Sequence, residues 1–207
     1  MFRLETRPLL EMKMNNRSRA SVASGFTLIE LMVTLALLSA LMLVAVPSFI
    51  GFRKNSELTS TANNFVAALS AARGEAMKRS VPAIVIPASG TDWSTGWIAF
   101  VDTDFDGAYS SSIDTLIMRN DEALPSYLTM TAKTGANANA TSVKYNGSGY
   151  NVAGAGFADL TFEIKNTQST GTDALAQTRR VKVNVTGRAR TCTPKTSSDS
   201  TCNAYGD

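Results

Sequence analysis

The longest uniform pattern in the chain is an apolar stretch from Phe26 to Phe52, in which Glu30 is the single charged residue. A membrane-spanning helix needs about 20 predominantly apolar residues, so this stretch is long enough to span. A cleaved secretory signal is the alternative. Its apolar region usually has about 7–15 residues and is followed by a small-residue cleavage site, and no convincing site of that kind follows here. We therefore predict a retained membrane helix over 26–52.

The charges before this stretch predict its orientation. An excess of Lys and Arg keeps the flank of a membrane helix in the cytoplasm. The pattern therefore sends the C-terminal part of the chain to the outside. The flank, residues 1–25, contains the basic residues Arg3, Arg7, Lys13, Arg17 and Arg19 and the acidic residues Glu5 and Glu11.

Beyond Arg53 the apolar positions follow the i, i+3, i+4 spacing of an amphipathic helix. We predict one long helix over about 26–79, with a bend rather than an end at Pro47. Ser80-Val81-Pro82 ends it, because the residue before a proline disfavours helical dihedral angles. The apolar positions are Leu58, Ala62, Phe65, Val66, Leu69, Ala72, Ala76 and Met77.

The remaining residues read as short strands separated by Gly-, Ser- and Asn-rich loops at 134–142, 146–156 and 166–173. Strict alternation of apolar and polar residues is typical of half-buried antiparallel strands. The predicted fold class is therefore α+β, a long helix laid across antiparallel sheet. The predicted strands are Ala83–Ile86, Trp97–Val101, Thr115–Met118, Tyr127–Thr131, Val143–Tyr145, Leu160–Ile164 and Val181–Val185.

Composition narrows the possible chemistry. The 207 residues contain no His and two Cys, which rules out the usual His/Cys zinc sites and His-based acid–base catalysis. The sequence also lacks a nucleophile elbow, a Walker-type loop and paired carboxylates in a recognisable frame. We predict a binding or structural protein rather than an enzyme, with no cofactor.

The residues at the start of the apolar stretch, Gly25-Phe26-Thr27-Leu28-Ile29-Glu30, resemble the type III signal of type IV pilins and type II secretion pseudopilins. The resemblance implies that a prepilin peptidase cleaves between Gly25 and Phe26 and that Phe26 is then N-methylated. It also implies that Glu30 pairs with the N-terminus of a neighbouring subunit during assembly. An anion inside an apolar helix costs about 3 kcal/mol, which a cationic partner offsets.

This resemblance divides the chain into three parts. Residues 1–25 are a leader peptide, for which Met14 is an alternative start. Residues 26–52 are the transmembrane and assembly helix in the inner membrane, and residues 53–207 are a periplasmic pilin-like head that assembles with other pilin subunits. The formal charge of +3 belongs entirely to the leader, because the chain from Phe26 onward has 15 residues of each sign.

Two segments of the head, Ser80-Val81-Pro82 and Gly96-Trp97-Ile98-Ala99-Phe100-Val101-Asp102, are similar to the GspH/FimT branch of minor pilins. The next residues allow a weak metal hypothesis. Asp102, Asp104, Asp106 and Gly107 match the first half of an EF-hand calcium loop, but Ile113 stands where that loop requires Glu. We favour an Asp/Gly-rich turn between two strands.

Cys192 and Cys202 lie in the part of the chain that the predicted topology places outside the cytoplasm. Two Cys in an oxidising compartment most often pair, so we predict a disulfide between them. It would contribute about 2–3 kcal/mol against unfolding of the tail.

The segment from Ala174 to Ser198 contains six cations and no anion. Arg180 and Lys182 are predicted to share one strand face with Asn184, since alternate strand residues point the same way. A turn at Gly187 would then project Arg188 and Arg190 in the same direction. No aromatic residue interleaves with these cations, so we predict sequence-independent contacts to phosphates rather than base stacking.

Gly187-Arg188-Ala189-Arg190 is similar to the G-R-x-R motif of FimT-type minor pilins, which bind DNA in natural transformation. The resemblance implies that Arg188 and Arg190 are phosphate ligands on double-stranded DNA, with Arg179, Arg180 and Lys182 as flanking support. Two alternatives stay open. In the first, the cations are incidental residues on a solvated strand. In the second, the chain is a GspH-like structural subunit of a secretion pseudopilus or of a pilus-assembly priming complex, and its basic face contacts another subunit.

Overall fold

The computed structural model describes residues 25–153, 156–157 and 159–204. Its residues divide into two compact units, one ending at Val46 and one beginning at Pro47. The predicted leader lies outside the described residues except for Gly25, and so does the alternative start at Met14.

The described part of the first unit is helical from Leu28 onward and presents its apolar side chains to the exterior, as a lipid-facing or subunit-facing helix would. Helical residues run from Leu28 to Arg79, so Pro47 does not end the helix, as predicted. No single helix in the described part of the chain is long and apolar enough to cross a membrane by itself. The stretches Leu28–Leu43 and Ser48–Arg79, taken together across the bend between them, could do so by length and composition.

The second unit is the head, and its architecture is α+β with antiparallel sheets, as predicted. One sheet has six strands in the order β3-β2-β1-β5-β6-β7, and the other has four in the order β10-β9-β8-β4. The elements are α1 (Leu28–Arg79), β1 (Ala83–Ser89), β2 (Asp92–Val101), β3 (Thr115–Asn120), β4 (Leu128–Thr134), β5 (Val143–Tyr145), β6 (Asn151–Ala153), β7 (Gly156–Phe157), β8 (Leu160–Asn166), α2 (Thr172–Ala176), β9 (Thr178–Val183) and β10 (Ala189–Cys192).

The head half of α1 buries its apolar stripe in the main core. Leu58, Phe65 and Leu69 have no exposed surface, and Phe65 meets Trp97 at a ring-centroid distance of 5.1 Å and Phe162 at 4.6 Å. Edge-to-face aromatic pairs of this kind add about 0.5–1.5 kcal/mol beyond their buried area. Met77 is an exception to the predicted stripe, because its side chain is exposed.

The observed elements differ from the predicted ones in four places. The predicted loop 146–156 contains β6 and the first residue of β7, and α2 begins inside the predicted loop 166–173. The last predicted strand begins earlier, at Thr178, because Arg179 and Arg180 pair in register with Ile164 and Glu163 of β8. The segment after Gly187 forms a further strand, β10, which completes the sheet beside β9.

Candidate functional site

The β9–β10 hairpin carries the cations of interest, and its turn is built around Asn184 and Gly187. The Gly187 amide donates to the Asn184 carbonyl at 2.8 Å, and the Arg188 amide donates to Asn184 Oδ1 at 2.9 Å. Gly187 has φ +79°, a left-handed conformation that favours glycine. The predicted turn at Gly187 is therefore present.

A second constraint on Gly187 comes from its neighbours in the head. A Cβ atom at this position would lie 2.0 Å from the carbonyl oxygen of Gly149. Arg73 of α1 fixes the same region, because its guanidinium donates to the Gly149 carbonyl at 2.9 Å and to the Thr186 carbonyl at 3.0 Å. Sequence reasoning missed Arg73, which belongs to no motif and carries no signal of a role in the hairpin.

Arg188 and Arg190 have exposed side chains on one face of the hairpin. Arg190 lies opposite Lys182 in the strand register, and the two arginines line a small depression of about 140 Å³ together with Lys182 and Asn184. The predicted common face of these four residues is therefore present. Three of its four lining residues are cations, so the depression suits an anion.

Arg180 and Lys182 do not reach the surface, which corrects the expectation that they flank the arginines in solvent. Their exposed fractions are 6% and 3%. Arg180 donates twice to one carboxylate oxygen of Glu163, at 2.7 and 2.8 Å, and once to the Cys202 carbonyl at 2.6 Å. Lys182 donates to the side-chain oxygen of Asn203. The C-terminal tail folds back over the strand, which the strand pattern alone does not reveal.

Arg179 lies on the opposite face of β9, which corrects its predicted place beside the hairpin arginines. Its guanidinium donates to Asn55 Oδ1 of α1 at 2.7 Å and to the Ala176 carbonyl at 2.8 Å. Burial lowers the pKa of this guanidinium below its usual value. An arginine stays charged through such a shift, so Arg179 joins α1 to the end of α2.

The predicted disulfide between Cys192 and Cys202 is present and closes the tail into a loop. Asp199 organises this loop, since its carboxylate accepts from the Lys195 amide at 3.0 Å and from the Thr201 amide at 3.0 Å. These hydrogen bonds, the one from Lys195 first, lower the pKa of Asp199 to about 2. The Asp199 carboxylate therefore accepts hydrogen bonds from backbone amides of the loop itself.

The acidic loop, residues 102–114 between β2 and β3, is a turn held by its own carboxylates, as favoured above. Asp114 accepts from the Thr103 amide at 2.9 Å and from the Ser110 amide at 2.8 Å. Asp102 is fully buried, and its carboxylate lies 3.5 Å from the ammonium of Lys144. One carboxylate oxygen each from Asp102, Asp104 and Asp106 lies within 4.8 Å of the others. The calcium hypothesis stays a prediction.

The residues of the predicted processing signal lie at the beginning of α1. Gly25 and Phe26 precede the helix and are exposed. Thr27 and Glu30 cap the helix reciprocally, because Thr27 Oγ1 accepts from the Glu30 amide at 3.2 Å and Glu30 Oε2 accepts from the Thr27 amide at 3.4 Å. This is a capping box, which satisfies two backbone donors of the first turn. Glu30 therefore has a local partner within its own chain.

Comparisons with known proteins give two family matches. Residues 61–187 match the model described as type II transport protein GspH, and residues 21–46 match the prokaryotic N-terminal methylation motif. The first match ends at Gly187, so Arg188 and Arg190 lie beyond it. No curated protein matches the chain.

Two crystal structures of the type IV minor pilin FimU from Pseudomonas aeruginosa are similar to this chain. One has 23% identity and a TM-score of 0.48, and covers 70% of this chain and 93% of its own. The other has 21% identity and a TM-score of 0.46, with coverages of 66% and 93%. Since the GspH model spans more than half of the sequence and the methylation motif precedes it, the chain belongs to the GspH family of type IV pilin-like minor pilins and pseudopilins.

Proposed function

We propose that this pilin-like subunit binds double-stranded DNA through the β9–β10 hairpin and supports DNA uptake in natural transformation. The observation that carries the proposal is the exposure of Arg188 and Arg190 on one face of a hairpin that Arg73 and Gly187 hold in place. A cationic pair on a rigid element pays little ordering entropy on binding.

The spacing of the two arginines suits a phosphate backbone. Two residues of extended chain span about 6.6 Å, so each guanidinium has room for a separate phosphate. The planar fork of arginine donates to two phosphate oxygens at once. No aromatic residue occurs between Ala174 and Ser198, so the contacts would carry no base preference.

Membership of the family supports the remaining proposals. A pilin-like subunit assembles with other pilin subunits and is processed by prepilin peptidase. For this chain we place cleavage between Gly25 and Phe26, methylation on Phe26, and the assembly contact at Glu30. Residues 1–25 would be the leader, 26–52 the inner-membrane helix and 53–207 the periplasmic head. Removing the leader leaves no net charge, so attraction to DNA rests on the hairpin.

Salt-dependent gel retardation with the head, residues 54–207, tests the proposal. This truncation keeps the whole core, because every buried residue of the described chain lies at Leu58 or beyond. Replacing Arg188 and Arg190 by Ala removes two phosphate contacts. The slope of log affinity against log salt should then fall by about 1.8, and affinity at 50 mM salt should fall by about a hundredfold.

The matched control replaces Lys78 and Arg119 by Ala, which removes the same charge from exposed positions outside the hairpin. The control should lose less than about threefold in affinity. Equal losses in the two variants, or a wild-type head that binds no DNA, would contradict the proposal. In cells, the hairpin variant should also lower transformation frequency.

A second candidate function is a structural subunit of a type II secretion pseudopilus or a pilus-assembly priming complex. The match to the GspH model favours it. The basic hairpin would then contact an acidic neighbouring subunit. Crosslinking from position 190 separates the two functions, since adducts with another pilin-like subunit and no DNA retardation would favour this one.

A further inference from the structure

Three consecutive tail residues accept hydrogen bonds from three cations of the β9–β10 hairpin. The Thr201 carbonyl accepts from Arg190 at 3.1 Å, and the Cys202 carbonyl accepts from Arg180 at 2.6 Å. The side-chain oxygen of Asn203 accepts from Lys182. Tail oxygens therefore lie along the same strand face as the proposed phosphate ligands.

These acceptors are chemical substitutes for phosphate oxygens. Guanidinium and ammonium groups are donors only, and they need oxygen partners when water is excluded. The tail supplies such oxygens to Arg180 and Lys182, which are almost fully buried beneath it. Lys182 borders the small depression yet is only 3% exposed, so a nucleic-acid backbone can approach its ammonium closely only if the tail moves away.

Besides the hydrogen bonds from the three cations, a covalent bond and a carboxylate hold the described part of the tail in this place. The Cys192–Cys202 disulfide joins it covalently to the end of β10, and Asp199 closes the loop between them. Cys202 is buried, with 1% of its surface exposed, but neither cysteine belongs to the hydrophobic clusters of the described head. Replacing both by Ser would therefore free the tail while leaving those clusters intact.

We propose that the disulfide-closed tail, residues 192–203, is an autoinhibitory cover that occupies part of the phosphate-binding face and hides Lys182 from DNA. The inference rests on the proposed function, because it describes the regulation of that same site. With the tail in place, Arg188 and Arg190 make the phosphate contacts. With the tail displaced, Lys182 adds a third contact.

Displacement of the tail should expose Lys182 more than Arg180, because Arg180 also has a partner on β8 that covers it. Glu163 lies on the neighbouring strand β8, directly opposite Arg180, and its two hydrogen bonds to Arg180 do not depend on the tail. Arg180 therefore keeps its counter-ion after the tail leaves. Lys182, by contrast, would lose its hydrogen bond to the side-chain oxygen of Asn203.

The test compares the head with its Cys192→Ser/Cys202→Ser variant, alone and combined with Lys182→Gln. The double-serine variant should bind a DNA duplex about tenfold more tightly at 50 mM salt, with a salt slope steeper by about 0.9, as one added phosphate contact predicts. Lys182→Gln should abolish this gain in the double-serine variant. In the disulfide-closed head, where Lys182 is 3% exposed, the same substitution should cost clearly less affinity than the gain of about tenfold that it abolishes.

A second readout does not depend on DNA. Acetylation of Lys182 by an amine-reactive ester, followed by mass spectrometry, should be at least about tenfold faster in the double-serine variant, while Lys133 reacts at an unchanged rate. Asn203→Ala, which keeps the disulfide, should raise the rate by a smaller factor. Far-UV circular dichroism and thermal melting verify that the sheets persist.

The outcomes separate the cover from the proposed function. An unchanged acetylation rate of Lys182 in the folded double-serine variant would overturn the cover. So would a DNA-affinity gain that persists with Lys182→Gln, or an affinity that falls when the tail is freed. If no form of the head binds DNA but Lys182 becomes reactive, the DNA function is wrong and the tail is confirmed as a physical cover.

Discussion

The acidic loop and the β9–β10 hairpin each concentrate charge of one sign, yet they use it differently. In the loop, Asp114 and Asp106 accept hydrogen bonds from nearby backbone amides, and Asp102 is buried beside Lys144. In the hairpin, Arg180 and Lys182 are satisfied by groups from other segments, while Arg188 and Arg190 stay at the surface.

The difference has a chemical origin. A carboxylate accepts hydrogen bonds, and a tight turn offers it many backbone N–H groups within a few residues. A guanidinium only donates, so it needs oxygen atoms that a strand partner or a returning segment must bring. A run of Asp in a turn can therefore organise itself, whereas a run of Arg and Lys on a strand depends on what packs over it.

The largest expected loss of stability comes from a substitution that disrupts the hairpin turn and leaves the acidic loop intact. Gly187 and Gly107 both have φ +79°, but a Cβ at Gly187 would meet the Gly149 carbonyl oxygen at 2.0 Å, while a Cβ at Gly107 meets nothing within 4 Å. Gly187→Ala should cost about 3 kcal/mol or more of unfolding free energy, and Gly107→Ala only about 1 kcal/mol. Urea unfolding of the two heads measures both.

Because the clash displaces the turn, Gly187→Ala should also weaken DNA binding, while Gly107→Ala should not. Equal destabilisation by the two substitutions would show that backbone conformation alone, and not the contact with Gly149, constrains the hairpin.

The next largest loss of stability is expected from a substitution that disrupts the acidic loop. Asp114→Ala removes the acceptor of two amides, those of Thr103 and Ser110, at a carboxylate that is largely buried. We expect a loss of about 2–4 kcal/mol, since a hydrogen bond to a charged group contributes about 1.5–3 kcal/mol. Urea unfolding measures the loss, with Asp104→Ala as the control.

Asp104 is exposed and accepts one long hydrogen bond, from the Asp106 amide at 3.4 Å. Its replacement should cost less than about 0.5 kcal/mol. If Asp104→Ala proved as costly as Asp114→Ala, the loop would depend on its outer carboxylates, contrary to the hydrogen-bonding pattern.

The smallest effect concerns the tail that covers the hairpin. The pKa of Asp199 is lowered to about 2 from an ordinary value of 3.8. A lowered pKa means that the carboxylate stabilises the loop fully above about pH 4, and that this contribution is lost as the pH falls through about 2. Nuclear magnetic resonance of the Lys195 and Thr201 amides from pH 5 to pH 2 follows the loss.

Asp199→Asn should remove most of this pH dependence without unfolding the sheets. Amide signals that stay constant down to pH 2 in the wild-type head, or an unchanged titration in the variant, would show that other contacts close the loop.

Local patterns predicted most of the fold. The apolar stripe of α1 and the alternating residues of β8 placed these elements within a few residues of their observed ends, because one buried face imposes its own period on the sequence. β6 and β7 lie in a Gly-rich stretch, where β6 pairs with β5 and β7 pairs with β6, so no local pattern indicated them. Arg73 was missed for the same reason.

Local sequence patterns were enough to predict the α+β fold class, the resemblance at Gly25-Phe26 that leads to the pilin-like family, the turn at Gly187 and the pairing of Cys192 with Cys202. Which of the six cations between Ala174 and Ser198 meet solvent became evident only from the folded chain. Their exposure depends on α1, β8 and the returning tail, and each of these approaches β9 from a distant part of the chain. A strand's pattern records which face its side chains share, but not what lies over that face.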